Sequence, residues 1–252
     1  MSENRLSPIA FGAFKIGRNE QTKYAESYDL PTLAETETLL NGVLDLGITL
    51  IDTAPAYGLS EQRIGTHLAH RNHEFSVSTK VGETFAKGHS SFSFTRDAIN
   101  RSIDRSLHQL KRSMLDVVFV HSDGSDQTII KESDALQTLC DRRASGDVGR
   151  VGFSPKHADG AIAALQTGAV DVLMIEFSPE EQSCSEALKR AFAQGVDVYI
   201  KKGLGSGRLP AEEAIPFCLS QPAVKTIVIG SLSLDHMQHN VTTATSWKRQ
   251  QL

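Results

Sequence analysis

The chain has 252 residues, 40% of them hydrophobic and 22% charged, with a formal net charge of −4. Such a balance is ordinary for a soluble globular protein of ample core size, and it supplies no basic field to draw in nucleic acid or anionic lipid. Cys140, Cys184 and Cys218 are odd in number and widely spaced, which fits reduced thiols better than a disulfide framework. Residues 1–5 contain no apolar stretch of the signal-peptide kind, and no run approaches the ~18 apolar residues of a membrane span, so a soluble cytoplasmic protein is expected.

Strand-like and helix-like segments alternate from end to end. A first strand is expected over 9–14; a helix carrying Leu39, Leu40, Val43 and Leu44 follows and ends at Gly47, before a second strand over 49–53. The third strand spans 75–81, and beyond it Ala98, Ile99, Ile103, Leu107 and Leu110 line one face of a helix whose opposite face is rich in Arg. Strands over 116–121, 150–154, 172–177, 196–201 and 226–230 bring the set to eight. Gly146, Gly168 and Gly195 close helical patterns just before a strand, as Gly47 does, where a C′ glycine is expected. Asp159 and Ser185 are candidate N-caps for the fifth and sixth helices. The strands run almost continuously apolar, as parallel strands covered on both faces do. Eight βα units without a linker predict one domain, residues 1–252, with the α/β architecture of a (β/α)8 TIM barrel; a doubly wound open sheet is the rival.

Four ionisable side chains fall at, or shortly after, the ends of these strands. They are Asp52 and Tyr57 in Leu50-Ile51-Asp52-Thr53-Ala54-Pro55-Ala56-Tyr57-Gly58, then Lys80, then His121. Strand C-termini open onto the active-site mouth of a barrel, so the positions themselves are catalytic candidates. A phenol of pKa about 10 exchanges protons poorly at neutral pH. A neighbouring Lys⁺ favours phenolate, and a carboxylate keeps that lysine charged and aimed. The set therefore reads as a proton-transfer site in which His121 donates a hydrogen bond to a substrate oxygen or assists the transfer. Taken singly, each residue has an ordinary explanation: Asp52 as a turn former, Tyr57 as a loop aromatic, Lys80 as a buried stem with a solvated head, His121 as a core histidine. Jointly, at neighbouring positions of one mouth, they favour catalysis.

The same residues, in this order, resemble the catalytic tetrad of the aldo-keto reductases. The run 52–58, followed by Ser60, Glu61, Ile64 and Gly65, is similar to a motif specific to that family, and 116–121 resembles its fourth strand. The resemblance covers nearly the whole chain. It implies an NAD(P)H-dependent oxidoreductase that reduces small aldehydes or ketones, with Asp52, Tyr57, Lys80 and His121 catalytic and Tyr57 the proton donor. It further implies that Gly12, Ala13, Phe14, Ser154, Met174 and Lys201 surround the nicotinamide, and that the loop Gly203, Leu204, Gly205, Ser206 and Gly207 holds the pyrophosphate. Ser231, Ser233, His236 and Asn240 fall at the adenosine end, and NADP(H) is expected ahead of NAD(H). The chain departs from the family at three nicotinamide positions. Pro155 stands where Asn is common, Met174 where Gln is usual, and Lys201 where an aromatic often stacks. Glu176 and Lys201 are candidate replacements, but alternate strand positions point to opposite faces, which leaves room for one of them.

His67, His70 and His73, and the pair His236 and His239, share helical spacing without a carboxylate or cysteine set, so no metal is expected. Trp247 is expected in a frayed tail, with no long segment after it to roof the substrate. The expected partner is a small carbonyl substrate, with the chain a monomer or weak oligomer. Two other readings stay open: a nucleotide-binding sensor barrel with weak or no turnover, and Schiff-base chemistry at Lys80 or Lys201.

Overall fold

In the computed structural model, which describes residues 6–22 and 27–250, the backbone alternates strand and helix throughout. In chain order the elements are β1 (Ile9–Gly12), α1 (Leu33–Asp45), β2 (Leu50–Asp52), α2 (Ser60–Leu68), β3 (Ser76–Val81), β4 (Glu83–Ala86), β5 (His89–Phe92), α3 (Arg96–Leu110), β6 (Leu115–His121), α4 (Asp126–Glu132), α5 (Ala135–Ala144), β7 (Val148–Ser154), α6 (Ala158–Gln166), β8 (Val172–Glu176), α7 (Ser185–Gln194), β9 (Asp197–Lys201), α8 (Ala211–Leu219), β10 (Val224–Ile229) and α9 (Leu234–Gln250). The eight parallel strands β1-β2-β3-β6-β7-β8-β9-β10 form a closed (β/α)8 TIM barrel, not an open sheet. Closure is made by β10 against β1, with Ile9 opposite Ile227 and Phe11 opposite Ile229.

Two apolar layers follow from strand alternation. Ala10, Leu50, Val117, Phe119, Val172, Met174 and Tyr199 form one cluster, drawn from strands all around the ring, and fill the barrel interior. Side chains at the alternate positions, such as Phe11, Ile51, Val77 and Val118, pack outward with Leu40, Ile64 and Ile99 of the helices. The expected C′ positions Gly47, Gly146, Gly168 and Gly195 have φ of +80°, +90°, +67° and +70°, a region that closes a helix at no Cβ cost.

Several expectations need correction. The first strand ends at Gly12, after which Ala13–Ile16 turn into a short 3-10 helix. Asp159 is not an N-cap: α6 begins one residue earlier, and its carboxylate accepts from Gly160 N instead. Ser185 is the first residue of α7 and donates its hydroxyl proton to Gln182 O. Trp247 is not in a frayed tail; it lies on α9, partly buried against the main core. The antiparallel hairpin β4–β5 was not expected. Among the described residues no helix is long and apolar enough to cross a membrane.

Candidate active site

The strands β1, β2, β3 and β6 lie side by side, so their ends deliver side chains to one mouth. Gly12 is opposite Asp52, Asp52 opposite Ser78, and Lys80 follows two residues on, on the same face. A cleft of about 630 Å³ opens there, and Asp52, Tyr57, Lys80 and His121 all border it. Lys80 Nζ donates to Asp52 Oδ2 at 2.7 Å and to Thr53 O at 2.8 Å, while Ser78 Oγ donates to Asp52 Oδ1 at 2.7 Å. The ammonium sits 4.7 Å from the Tyr57 ring centroid, and its charge favours the phenolate. Burial works to lower the Lys80 pKa, but Asp52 and then Tyr57 outweigh it and leave the amine above its ordinary value. Burial also raises the Tyr57 phenol, with Lys80 pulling the other way, so the phenol is protonated at neutral pH.

Tyr57 is placed by backbone contact. It ends the short 3-10 turn Pro55–Tyr57, and Gly58 follows with φ +61° and ψ −112°. A Cβ on Gly58 would lie 2.3 Å from Gly17 O, and one on Gly17 would lie 2.1 Å from Tyr57 O. Only two glycines let these loops touch, and Leu59 N donates to Gly17 O at 3.1 Å across the junction. Ser60 and Glu61 clamp the same region from behind. Ser60 Oγ donates to Ala13 O at 2.9 Å, and Thr79 Oγ1 donates to Glu61 Oε1 at 2.6 Å. Burial pushes the Glu61 carboxyl upward, and its hydrogen bonds only partly offset this.

Sequence reasoning missed three residues here. Glu83, at the start of β4, brings its Oε2 within 2.8 Å of His121 Nδ1, outside ideal hydrogen-bond geometry but within ion-pair range. Burial holds the imidazole down at about 4, so His121 is neutral at pH 7. A neutral ring beside a carboxylate keeps its proton on the facing nitrogen, because two lone pairs would repel there. That leaves His121 Nε2 as an acceptor. Ser90 Oγ, on β5, braces Glu83 by donating to Oε1 at 2.6 Å. Arg18 stacks 3.4 Å over the Phe85 ring and donates to Ala56 O at 3.1 Å, tying the hairpin to the Tyr57 turn. A polar hairpin carries no periodic signal of its own, so nothing in the sequence points to Glu83.

The remaining candidates divide by position. Gly12, Phe14, Ser154, Met174, Lys201 and Ser206 border the cleft. Ala13 is fully buried, with its carbonyl taken by Ser60. Gly203, Leu204, Gly205 and Gly207 lie in the loop after β9, where Gly205, Ser206 and Gly207 have consecutive φ values of +55°, +63° and +94°. Ser231 and Ser233 stand just before α9: Ser231 Oγ accepts from Ser233 N at 3.1 Å, and Ser233 Oγ accepts from His236 N at 3.3 Å. Asn240 is buried on α9. The expectation that Glu176 and Lys201 face opposite ways is wrong: they are register partners on β8 and β9, so they share a face, and both border the cleft. Glu176 pairs with Lys202, whereas Lys201 Nζ donates to Ser154 Oγ at 3.0 Å and Pro155 O at 2.9 Å.

A family model described as "Aldo/keto reductase family" matches residues 8–214. A crystal structure of a Pseudomonas aeruginosa protein provisionally named an aldo-keto reductase is 33% identical, with a TM-score of 0.88 over 96% of this chain and 91% of that one. L-galactose dehydrogenase of Arabidopsis thaliana is 23% identical over 96% of this chain and 85% of its own length. D-arabinose 1-dehydrogenase of Saccharomyces cerevisiae is 32% identical over 143 residues, 55% of this chain and 38% of the yeast protein. The matched span takes in β1 through β9, the start of α8, and Asp52, Tyr57, Lys80 and His121, and with it the chain belongs to the aldo/keto reductase family of oxidoreductases.

Proposed function

We propose that this chain is a cytoplasmic, NADP(H)-preferring reductase of small aldehydes and ketones in which Tyr57 gives the proton. The observation that carries the reading is the Asp52–Lys80–Tyr57 chain at the floor of the cleft. A carbonyl oxygen gains negative charge as its carbon is reduced, and a protonated phenol is the donor suited to it. Lys80, held charged by Asp52, stabilises the phenolate left behind. His121, neutral beside Glu83, offers Nε2 to orient a hydroxyl of the substrate or product.

The residues present fit a dinucleotide at its phosphate end. The loop beside the cleft carries three consecutive positive-φ residues; Gly205 N and Gly207 N donate inward to Lys202 O and Leu204 O, so Ser206, which borders the cleft, is the residue of the three that offers a phosphate its donors. Gly203, Leu204, Gly205, Ser206 and Gly207 would hold the pyrophosphate, with Ser231, Ser233, His236 and Asn240 toward the adenosine. Gly12, Phe14, Ser154, Met174 and Lys201 would surround the nicotinamide, which supplies a hydride when bound. One observation favours a second reading, binding with weak turnover. Lys201 occupies Ser154 Oγ, while Pro155 and the apolar Met174 offer no amide contact in exchange.

Titration with NADPH and NADH, followed by a panel of aldehydes that includes aldoses, separates the two. Tyr57→Phe is expected to lower carbonyl reduction by ~10²–10⁴-fold with cofactor affinity nearly unchanged. Unaltered turnover in that variant rejects the proton-donor assignment, and cofactor binding without any carbonyl reduction by the parent chain selects the second reading.

A further inference from the structure

Two lysines reach into the same cleft under opposite conditions. Lys80 meets the Asp52 carboxylate at 2.7 Å. Lys201, at the end of β9, meets only neutral acceptors, Ser154 Oγ at 3.0 Å and Pro155 O at 2.9 Å. The carboxylate opposite it in register, Glu176, is engaged by Lys202. A neutral amine has two N–H donors and one lone pair, so these two acceptors use both donors and leave the lone pair unclaimed. An ammonium would carry a third N–H, and among the described residues Lys201 has no third acceptor.

The surrounding groups favour the same state. Burial acts first, then Lys156 beyond β7, Lys202 beside it and Lys80 on β3; Glu176 on β8 opposes them, and the balance brings Lys201 down to about 7. The Cys184 thiol also borders the cleft, and burial keeps it protonated and uncharged at neutral pH. A lysine of ordinary pKa is neutral to only about 1 part in 2,500 at pH 7, whereas one at about 7 is about half neutral.

We propose that Lys201 is a carbonyl-reactive amine that captures small, unhindered aldehydes entering this cleft as a reversible imine. The Nζ lone pair bonds to the carbonyl carbon as the carbonyl π pair moves to oxygen. A proton then passes from nitrogen to that oxygen, giving a carbinolamine; the Ser154 hydroxyl, 3.0 Å from Nζ, is placed to relay it. Loss of the hydroxyl group, with the remaining nitrogen proton, as water leaves the C=N bond. Amine and aldehyde become imine and water, with no change of oxidation state overall. The step needs neither a dinucleotide nor Tyr57, so it goes beyond the reductase reading and stands or falls separately.

The test is reductive trapping on the whole chain. Propanal and sodium cyanoborohydride at pH 7 fix each imine as a propylamine, and peptide mass mapping over time ranks the lysines. Lys201 is expected to be labelled at least roughly tenfold faster than the exposed Lys111 and Lys189, since the neutral fraction sets the rate. Lys201→Arg should abolish the fast phase, and Tyr57→Phe should retain it; the ranking within the parent chain decides the matter even if the Arg variant does not fold. Labelling of Lys201 no faster than the two reference lysines overturns the proposal. If that happens while Tyr57→Phe still abolishes turnover, the imine fails and the reductase reading survives. Fast labelling in a chain that reduces no carbonyl upholds the imine alone.

Discussion

A carboxylate 2.7 Å away keeps Lys80 an ammonium, and its loss is expected to be costly. Asp52→Asn leaves that ammonium with no opposite charge at a site where both partners are nearly fully buried. Removing one member of such a pair typically costs ~3–5 kcal/mol, a loss that urea unfolding of the variant should register. Carbonyl reduction should fall in the same variant, because without the Asp52 charge burial drives Lys80 toward its neutral amine, and Tyr57 then loses the charged neighbour that stabilises its phenolate. These residues were legible in the sequence because each falls at or just after a strand end, where an ionisable side chain interrupts or follows an apolar run. Glu83 was not. It pairs with His121, 38 positions further along the chain, through a hairpin that no hydrophobic pattern announces. Nor could the sequence tell Lys80 from Lys201, since both end a strand. Their difference lies in what surrounds each: Asp52 on the adjacent strand β2 for one, Ser154 and Pro155 at the end of β7, two strands away, for the other.

At the scale of elements, the turn that carries Tyr57 is as constrained as the chemistry it serves. Gly58→Ala places a Cβ 2.3 Å from Gly17 O at a backbone conformation that L residues avoid. Strain of this kind costs about 1–3 kcal/mol. The variant should melt at lower temperature and lose kcat more than KM, because relief requires Tyr57 to shift; unchanged kcat would mean the turn does not set the phenol's position. The segment before α9 makes a separate prediction. Replacing Ser231 and Ser233 together by Ala should weaken NADPH binding while sparing NADH, as judged by cofactor fluorescence, if these hydroxyls read the 2′-phosphate. Equal weakening of both coenzymes would place them elsewhere. The barrel strands were legible because parallel strands covered on both faces must be apolar throughout. The hairpin was not, because β5 is exposed along its whole length and β4 has no fully buried residue, so neither strand needs the apolar run of a core strand. Its one signal is the Lys87-Gly88 pair, with φ of +52° and +78°, the two-residue connection that suits hairpin twist.

Across the whole molecule, two depressed pKa values give stability a sign at each end of the pH scale. His121 is held at about 4 against an ordinary 6.5, so the unfolded chain binds that proton more readily and stability falls as pH drops from 6.5 toward 4. Lys201, at about 7 against 10.5, contributes stability that is full above 10.5 and is lost as pH falls toward 7. Unfolding free energies measured across pH should show both slopes, with His121→Gln flattening the acid one and Lys201→Met the alkaline one. Closure of the barrel by β10 against β1 has a different kind of consequence, for the chain during synthesis. The residues that pair with Ile9, Ala10 and Phe11 on that side lie about 220 positions downstream. At translation rates of roughly 5–20 residues per second, β1 waits some 10–45 s with that edge bare after it leaves the ribosome. The nascent chain is therefore an apolar, half-paired sheet until its eighth barrel strand emerges, the kind of client that chaperones retain, and release from a chaperone should track the appearance of β10 rather than that of any catalytic residue.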